Sequence, residues 1–346
     1  MTNDEGNSNN EIRNGAEAPR CSSSLFELRH SVKRPFFIVG PTATGKSELA
    51  ADVAAMVDGE LVSADAFQIY RGLDVLSAKP EAATLRKAPH HLIGTLSLEQ
   101  EMNAEKFRIE AARAIAEIRS RGRAPIVVGG SGLYIKALTH GLMRLPRANQ
   151  SLREALNALD PAGLRARLIE LDPKTAGTID LKNPRRVRRA VEICLLTGQP
   201  ASAQRREWAP VAGVADPGLP RSTTAATTSG VFVFRDREDL YRRINERVER
   251  MFKNGVIDEV GGLGAISPTA SKMIGLAEVR QLLNGKISMS QCIARIQQTT
   301  RRYAKRQLTW FTRQSKFEPL NLSVLSYGEA VDRIAQRVSL FATRDD

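Results

Sequence analysis

The stretch FFIVGPTATGKSELA, residues 36–50, decides the fold of this chain. Residues 36–39 form a short continuous apolar run, which is typical of a strand covered on both faces of a parallel sheet. A glycine-containing turn follows, and Leu49, Val53 and Val57 then recur at the four-residue spacing of an amphipathic helix. This order of strand, glycine turn and helix predicts a site that binds phosphate.

The turn matches the phosphate-loop pattern G-x-x-x-x-G-K-[ST]. Its glycines let the backbone curl so that N–H groups point inward, and the helix adds its positive dipole end. Lys46 supplies a full charge, and Ser47 is expected to be a ligand of Mg²⁺, the one cofactor that we expect. The candidate phosphate-binding residues are Gly40, Pro41, Thr42, Ala43, Thr44, Gly45, Lys46 and Ser47.

The alternation of strand and helix continues beyond this unit. Short apolar strands are predicted at 60–63, 125–128 and 231–234, and an apolar stripe predicts a helix over 104–121. Alternating strands and helices are typical of a parallel sheet. We therefore expect an α/β fold, with a P-loop NTPase-like parallel sheet core and a helical insertion subdomain.

Composition divides the chain into segments. The first residues carry too little apolar surface to fold alone, and residues 210–230 are rich in Gly, Pro, Ser and Thr without periodicity. We expect a disordered tail over 1–34, the first part of the core over 35–145, a helical insertion over 146–209, a flexible loop over 210–230, the second part of the core with a long basic helix over 231–325, and a C-terminal helix and tail over 326–346.

Charge and composition limit the partners. Lys and Arg outnumber Asp and Glu by 51 to 38, and a net charge of +13 favours a polyanionic partner such as nucleic acid, although it could serve solubility alone. No run of about 18 apolar residues and no secretory signal pattern occurs, so we expect a cytoplasmic protein without membrane contact. Three distant cysteines predict neither a zinc site nor a disulfide framework.

The phosphate loop does not identify the phosphate compound that it binds. No N-K-x-D guanine signature follows, and the strand before Gly129 and Gly130 does not end in the aspartate that an ATPase uses to hold metal. Asp65 ends the second strand and is expected to face the ligand of the loop, although a turn cap is the alternative. Ser131 follows the third strand and places a hydroxyl near the same cleft.

Six motifs carry a more specific signal than the loop alone. They are GPTATGKS at 40–47, SADAFQIYRGLDVLSAKP at 63–80, APHHLIG at 88–94, GGSGLYIKAL at 129–138, MIGLAEV at 273–279 and TRRYAKRQLTWF at 300–311. In this order they resemble the motifs of the tRNA dimethylallyltransferase (isopentenyltransferase) family. The resemblance spans about residues 35–313, nearly everything except the tail.

The resemblance implies a reaction. The family transfers a dimethylallyl group from dimethylallyl pyrophosphate to N6 of the adenosine just 3′ of the tRNA anticodon. It implies that the phosphate loop and Lys272 bind the pyrophosphate, that Asp65 is the catalytic base, and that Lys46 also acts in catalysis. Ser131 stands where threonine is more usual and keeps the hydroxyl beside the reacting amine.

The resemblance also implies that a monomer binds the tRNA anticodon stem-loop. Two clusters of basic residues, in the insertion and on the long helix, fall on positions that contact tRNA in the family. The implied contacts are Asp65, Ala66, Phe67, Gln68, Ser131, Arg153, Arg185, Arg186, Val187, Arg188, Arg189, Arg301, Arg302, Lys305 and Arg306. The chain departs from the usual pattern at Ala66, Gly94, Leu276 and Asp180-Leu181.

Two other classes of protein also fit a phosphate loop beside a carboxylate. A small-molecule or nucleoside kinase would need ATP and would not use the two basic clusters. An RNA-binding ATP-dependent module would keep its tRNA affinity without Asp65 and would transfer no prenyl group. Label entering RNA from dimethylallyl pyrophosphate separates these alternatives from a prenyltransferase.

Overall fold

The structure is a computed structural model that describes residues 34–142, 146, 149–204, 229–314 and 316–342. The tail predicted for residues 1–34 lies outside the described residues except for Arg34. The flexible loop predicted for 210–230 also lies outside them, except for its last two residues. The disordered tail and the flexible loop therefore stay predictions.

Six strands form one parallel sheet with the order β3-β2-β4-β1-β5-β6. The strands are β1 Phe36–Val39, β2 Gly59–Ser63, β3 His90–His91, β4 Ala124–Gly129, β5 Gly230–Phe234 and β6 Glu318–Asn321. The predicted α/β fold with a parallel sheet is thus confirmed, and β1 lies at its centre between β4 and β5. Val39 pairs with both Gly129 and Phe232, so these three strands end at one edge.

Helices connect the strands. They are α1 Lys46–Met56, α2 Ala82–Leu85, α3 Ala104–Ser120, α4 Gly132–His140, α5 Gln150–Ala158, α6 Pro161–Leu171, α7 Pro173–Ala176, α8 Pro184–Thr197, α9 Ala201–Gln204, α10 Arg237–Lys253, α11 Val256–Gly261, α12 Leu276–Leu283, α13 Met289–Gln314 and α14 Tyr327–Ala342, with a 3₁₀ turn at Ala270–Lys272. Strand β6 and the short strand β3 were not predicted from the sequence, because neither has the apolar run of a central strand.

The two faces of the sheet are covered by different helices. Phe37 and Val39 of β1 belong to a cluster with α3, α4, α10 and α13, while Phe36 and Ile38 belong to a cluster with α1 and α14. Successive side chains of a strand point to opposite faces, so four consecutive apolar residues require cover on both sides. Burying each such side chain is worth about 1.5–3 kcal/mol before entropy is counted.

Helices α5 to α9 form a separate hydrophobic cluster between α4 and β5. Leu156, Leu168 and Val191 are central to it. The side chain of Glu192 is also buried there, and its charge is balanced by two arginines that are described below. Prolines at the first positions of α6, α7 and α8 begin these helices because proline needs no N–H partner there.

Two further observations concern the whole molecule. Cys194 and Cys292 are buried and free, and burial raises the pKa of the Cys292 thiol to about 11, so this thiol is protonated and packs as a small apolar group. Cys21 lies outside the described residues. Within the part of the chain that the structure describes, no helix is long and apolar enough to cross a bilayer.

The close approach of β4 to the segment after β2 gives a stability prediction. A Cβ atom added at Gly129 would lie 2.3 Å from the Ala64 carbonyl oxygen. We expect Gly129→Ala to destabilise the fold by about 1–3 kcal/mol, because backbone must move to admit it. Gly264→Ala is the control, since a Cβ there meets nothing within 4 Å. Thermal unfolding checks the pair, and equal melting temperatures would contradict the prediction.

Candidate active site

The phosphate loop closes on itself between β1 and α1. Ala43 and Gly45 have φ values of 67° and 89°, so the chain curls tightly at both residues. The Thr44 hydroxyl donates to the Pro41 carbonyl at 3.0 Å, and Lys46 Nζ donates to the same oxygen at 3.1 Å. The loop thus places a lysine ammonium and the start of a helix at one point, which is the arrangement that binds phosphate.

Side chains from α10 and α13 contact the loop from outside, and none of them is a site residue predicted from the sequence. Arg243 Nε donates to the Ala43 carbonyl at 2.9 Å, and Arg247 Nη1 donates to the Thr42 hydroxyl at 2.9 Å. Gln307 accepts from the Thr42 N–H at 2.9 Å and donates to the Gly130 carbonyl at 2.8 Å. The signal that could have found the arginines is their i, i+4 spacing on a helix that follows β5.

Two cations in this site have no carboxylate within ion-pair distance among the described residues. They are Lys46 and Arg247, whose charged ends are buried. Burial lowers the pKa of Lys46 to about 8 and that of Arg247 to about 10, although the nearby Asp65 charge opposes both shifts. The Arg247 Nε atom is also buried without a hydrogen-bond partner. Unpaired buried charge is costly, so the site is built to receive an anion.

Asp65 caps the turn after β2 with one of its two carboxylate oxygens. Its Oδ1 atom accepts from the N–H of Phe67 at 2.9 Å and of Gln68 at 3.3 Å, as a turn cap would. Its Oδ2 atom accepts no hydrogen bond from a described residue. One oxygen is therefore fixed by the turn after β2, while the other can accept a proton from a ligand.

Ser131 joins three segments of the site. Its hydroxyl accepts from the Ala66 N–H at 3.0 Å, and the phenol of Tyr303 on α13 lies near it. Burial raises the pKa of Tyr303, and the Asp65 charge raises it further, so the phenol stays protonated. The structure therefore brings Asp65, Ser131 and Tyr303 to one cleft, and Tyr303 is a residue that the sequence analysis had not singled out.

Lys272 lies on the 3₁₀ turn at Ala270–Lys272. It is exposed, and partial burial together with the Arg185 charge lowers its pKa, while Glu101 acts in the opposite direction. No hydrogen bond or ion pair between described residues joins it to the loop. Its role toward pyrophosphate therefore stays a prediction.

The arginine cluster of the insertion divides into structural and exposed members. Arg153 Nε and Arg189 Nη1 contact the two oxygens of buried Glu192 at 2.9 and 2.7 Å, and Val187 is 1% exposed in the core. The exposed members are Arg185 and Arg186, with Arg188 half-buried. A helix with one face in a core can present only its other face to RNA, so Val187 cannot offer its side chain.

The long helix α13 also divides its residues between two faces. Ala304 and Gln307 are buried toward the core and the phosphate loop, whereas Arg302, Lys305 and Arg306 are exposed. We call these three residues the basic face. Their exposure leaves three positive charges available to a polyanion.

Arg301, the fourth basic residue of the predicted cluster on the long helix, packs differently. Arg301 Nη1 donates to the Asn245 side chain at 2.9 Å, and its guanidinium lies 5.8 Å from the Tyr241 ring centroid, so this side chain packs against α10. The turn after β2 holds the remaining candidates. Ala66 and Phe67 are half-buried, and the Gln68 side-chain amide donates to the Ala78 carbonyl at 2.9 Å.

Comparison with known proteins gives the family of this chain. The model of the IPP transferase family matches residues 68–314. A protein of Akkermansia muciniphila named tRNA dimethylallyltransferase is 39% identical over 287 residues, which cover 83% of this chain and 93% of that protein. A protein of the same name from Geobacter sulfurreducens is 42% identical over 282 residues, 79% of this chain and 87% of that protein. The chain therefore belongs to the IPP transferase family.

The fold agrees with this membership. The crystal structure of the full-length tRNA isopentenylpyrophosphate transferase from Bacillus halodurans superposes with a TM-score of 0.63 at 31% identity. The similarity covers 89% of this chain and 96% of that protein. The resemblance inferred from the six motifs is thus confirmed over most of the chain.

The lowered pKa of Lys46 predicts that binding an anion takes up a proton. Lys46 is mostly neutral above its pKa of about 8, and a bound anion favours the charged form, so its pKa rises on binding. We expect titration of inorganic pyrophosphate at a pH of about 8.5 to show this uptake in calorimetry with two buffers. Lys46→Met should lose it, and equal uptake by both proteins would contradict the assignment.

Proposed function

We propose that this protein transfers a dimethylallyl group from dimethylallyl pyrophosphate to N6 of the adenosine 3′-adjacent to the tRNA anticodon. The observation that carries the proposal is the pair of buried cations, Lys46 and Arg247, which lie without a carboxylate partner in the field of Asp65. Such a site fits a pyrophosphate whose reacting end meets a base. The relatives are named tRNA dimethylallyltransferase, which supports tRNA as the acceptor and the dimethylallyl group as the group transferred.

The positive groups fit the leaving group of this reaction. Breaking the allylic C–O bond builds negative charge on pyrophosphate, and fixed donors around the loop stabilise that charge as it develops. Lys46 and Arg247 would face this charge, and Arg243 lies against the loop at Ala43. No phosphoanhydride bond has to be hydrolysed, so the loop acts here as a holder for pyrophosphate.

Asp65 fits the role of general base. Adenine N6 is a poor nucleophile because its lone pair is delocalised into the ring. As the N–C bond forms and the C–O bond breaks, one N6 proton passes to Asp65 Oδ2 and pyrophosphate departs. The Ser131 hydroxyl, fixed by the Ala66 N–H, would orient the amine.

The protein side chains of the site fit a Mg²⁺ ion only when the substrate supplies phosphate oxygens as further ligands. Among the described residues, no group of three or more His, Cys, Asp or Glu side chains could hold a metal by itself. Ser47 is half-buried, and its hydroxyl has no hydrogen-bond partner among those residues. Since Mg²⁺ prefers one or two protein oxygens together with phosphate oxygens and water, Ser47 would hold it beside the pyrophosphate.

Exposed positive charge on α13 and α8 supports the proposed binding of tRNA. The basic face of α13 and the exposed arginines of α8 would neutralise phosphates of the anticodon stem-loop. The adenine must leave its stack to reach Asp65, as bases do in enzymes that modify them. We further propose that the enzyme acts as a cytoplasmic monomer.

The direct test incubates the protein with labelled dimethylallyl pyrophosphate, Mg²⁺ and unmodified tRNA. We expect label in RNA at one adenosine and a mass gain of one isoprene unit. A nucleoside kinase would instead transfer phosphate from ATP, and an RNA-binding ATP-dependent module would bind tRNA without labelling it. RNA that stays unlabelled at every Mg²⁺ concentration would overturn the proposal.

Loss of the base gives a sharper prediction. Asp65→Asn should lower kcat by about 10²–10⁴, because general-base assistance is worth that factor, and should change the tRNA Kd little. Asp58→Asn is a matched control at an exposed position with φ of 51°, which asparagine tolerates. Single-turnover rates and filter binding separate the two effects. A weakened tRNA Kd with an intact rate would refute the base role.

The basic face predicts a change in salt dependence. The double variant Arg302→Gln, Lys305→Gln should weaken tRNA binding and reduce the slope of log K against log salt by about 1 for each lost phosphate contact. The control is Arg86→Gln, an exposed arginine at the end of α2, which should leave the slope unchanged. An unchanged slope in the double variant would show that this face does not contact phosphates.

A further inference from the structure

The phosphate loop has a third arginine behind it that the reaction described above does not use. Arg235 follows β5 directly and is a neighbour of the loop because β5 pairs with β1. We propose that Arg235 is a positioning residue for the pyrophosphate-binding loop: it turns the peptide group between Thr44 and Gly45 so that the Gly45 N–H is free for the anion. This inference rests on the proposed function only in that the loop holds pyrophosphate.

Three hydrogen bonds fix the Arg235 guanidinium. Its Nε atom donates to the Thr44 carbonyl at 2.9 Å, and its Nη1 atom donates to the Leu322 carbonyl at 2.9 Å and to Asp239 Oδ2 at 2.8 Å. The side chain is 17% exposed. These acceptors belong to the loop, to the segment after β6 and to α10. The contacts with Leu322 and Asp239 hold the guanidinium in place, and its Nε–H contacts the loop at Thr44.

The contact at Thr44 determines where the next N–H points. A trans peptide carries its C=O and N–H on opposite sides of one plane. Because Arg235 holds the Thr44 oxygen on its own side, the Gly45 N–H is turned to the other side. That N–H donates to no described residue, and Gly45 is the residue just before α1, where free N–H groups bind anions.

The loop needs such a contact because its peptide groups do not share one orientation. The peptide between Pro41 and Thr42 has its oxygen on Lys46 Nζ and its N–H on Gln307, so it is held from both ends. Ala43 then adopts φ of 67°, a left-handed conformation that is unfavourable for alanine. Without an outside partner, the strain at Ala43 favours rotation of the following peptide groups away from the orientation that binds.

The charge of Arg235 is already balanced. Asp239 pairs with it at 2.8 Å, in contrast to Lys46 and Arg247, which have no described carboxylate within ion-pair distance. We therefore assign to Arg235 the orientation of the loop and not the attraction of the anion. This distinction makes the assignment testable by a substitution that keeps the charge.

The test compares Arg235→Lys, Arg235→Met and Arg242→Met, with inorganic pyrophosphate and Mg²⁺ as the probe. Lysine keeps the charge but cannot contact three acceptors in fixed geometry. We expect both Arg235 variants to raise the pyrophosphate Kd and the KM for dimethylallyl pyrophosphate by about tenfold, with the tRNA Kd unchanged. Arg242 also pairs with Asp239, at 2.7 Å, without touching the loop, so its variant should match the wild type.

Several results would overturn the inference. The first is that Arg235→Lys, alone or together with Arg235→Met, binds pyrophosphate with the Kd of the wild type. The second is that Arg242→Met loses as much pyrophosphate affinity as the Arg235 variants do. A tRNA Kd that weakens in parallel would indicate a general structural role. The lysine variant retains a cation beside Asp239 and carries the test if the methionine variant does not fold. Failure of the wild type to bind pyrophosphate would instead refute the proposed function.

The Gly45 amide gives an independent readout. In the ¹⁵N-labelled wild type, we expect its NMR signal to shift on addition of pyrophosphate, because this N–H then donates to an anion. In Arg235→Lys the shift should be strongly reduced at the same occupancy. An equal shift in both proteins would show that the peptide keeps its orientation without Arg235.

Discussion

The site depends on holding positive charge inside the protein without a matching carboxylate. Lys46 and Arg247 have buried charged ends, and burial lowers the pKa of both groups. Such an arrangement destabilises the free protein, and the proposed binding of pyrophosphate would offset this cost. Asp65 is near enough to influence both cations but does not pair with them, and in the proposed reaction its Oδ2 atom would take the proton of the second substrate.

The rigid sheet is what makes this arrangement possible. Strand β1 lies at the centre with helices on both faces, so the loop at its end has a fixed base. Close backbone approaches bring the segments of the site together. A Cβ atom at Gly40 would lie 2.1 Å from the Val233 carbonyl, and one at Gly130 would lie 2.4 Å from Gln307 Nε2. Glycine at these positions is therefore a requirement of packing.

Helix α13 links the two halves of the proposed reaction. One side of it contributes Gln307 to the phosphate loop and places Tyr303 near Ser131, while the other side carries the basic face. In the insertion, by contrast, Arg153 and Arg189 neutralise buried Glu192. Counting basic residues along the sequence cannot separate these uses, because a helix presents different faces at neighbouring positions and only packing determines which face is exposed.

The sequence by itself determined the phosphate loop, the parallel sheet, the family and the places of Asp65 and Ser131, because each depends on local pattern or on strand order. It did not reveal Arg235, Arg243, Arg247, Gln307 or Tyr303 as neighbours of the site. These residues lie about 170 to 265 positions along the chain from the site residues beside them, and no periodicity encodes such a meeting. The tertiary structure alone decided them, since packing of α10 and α13 on one sheet face brings their polar side chains to the edge where the strands end.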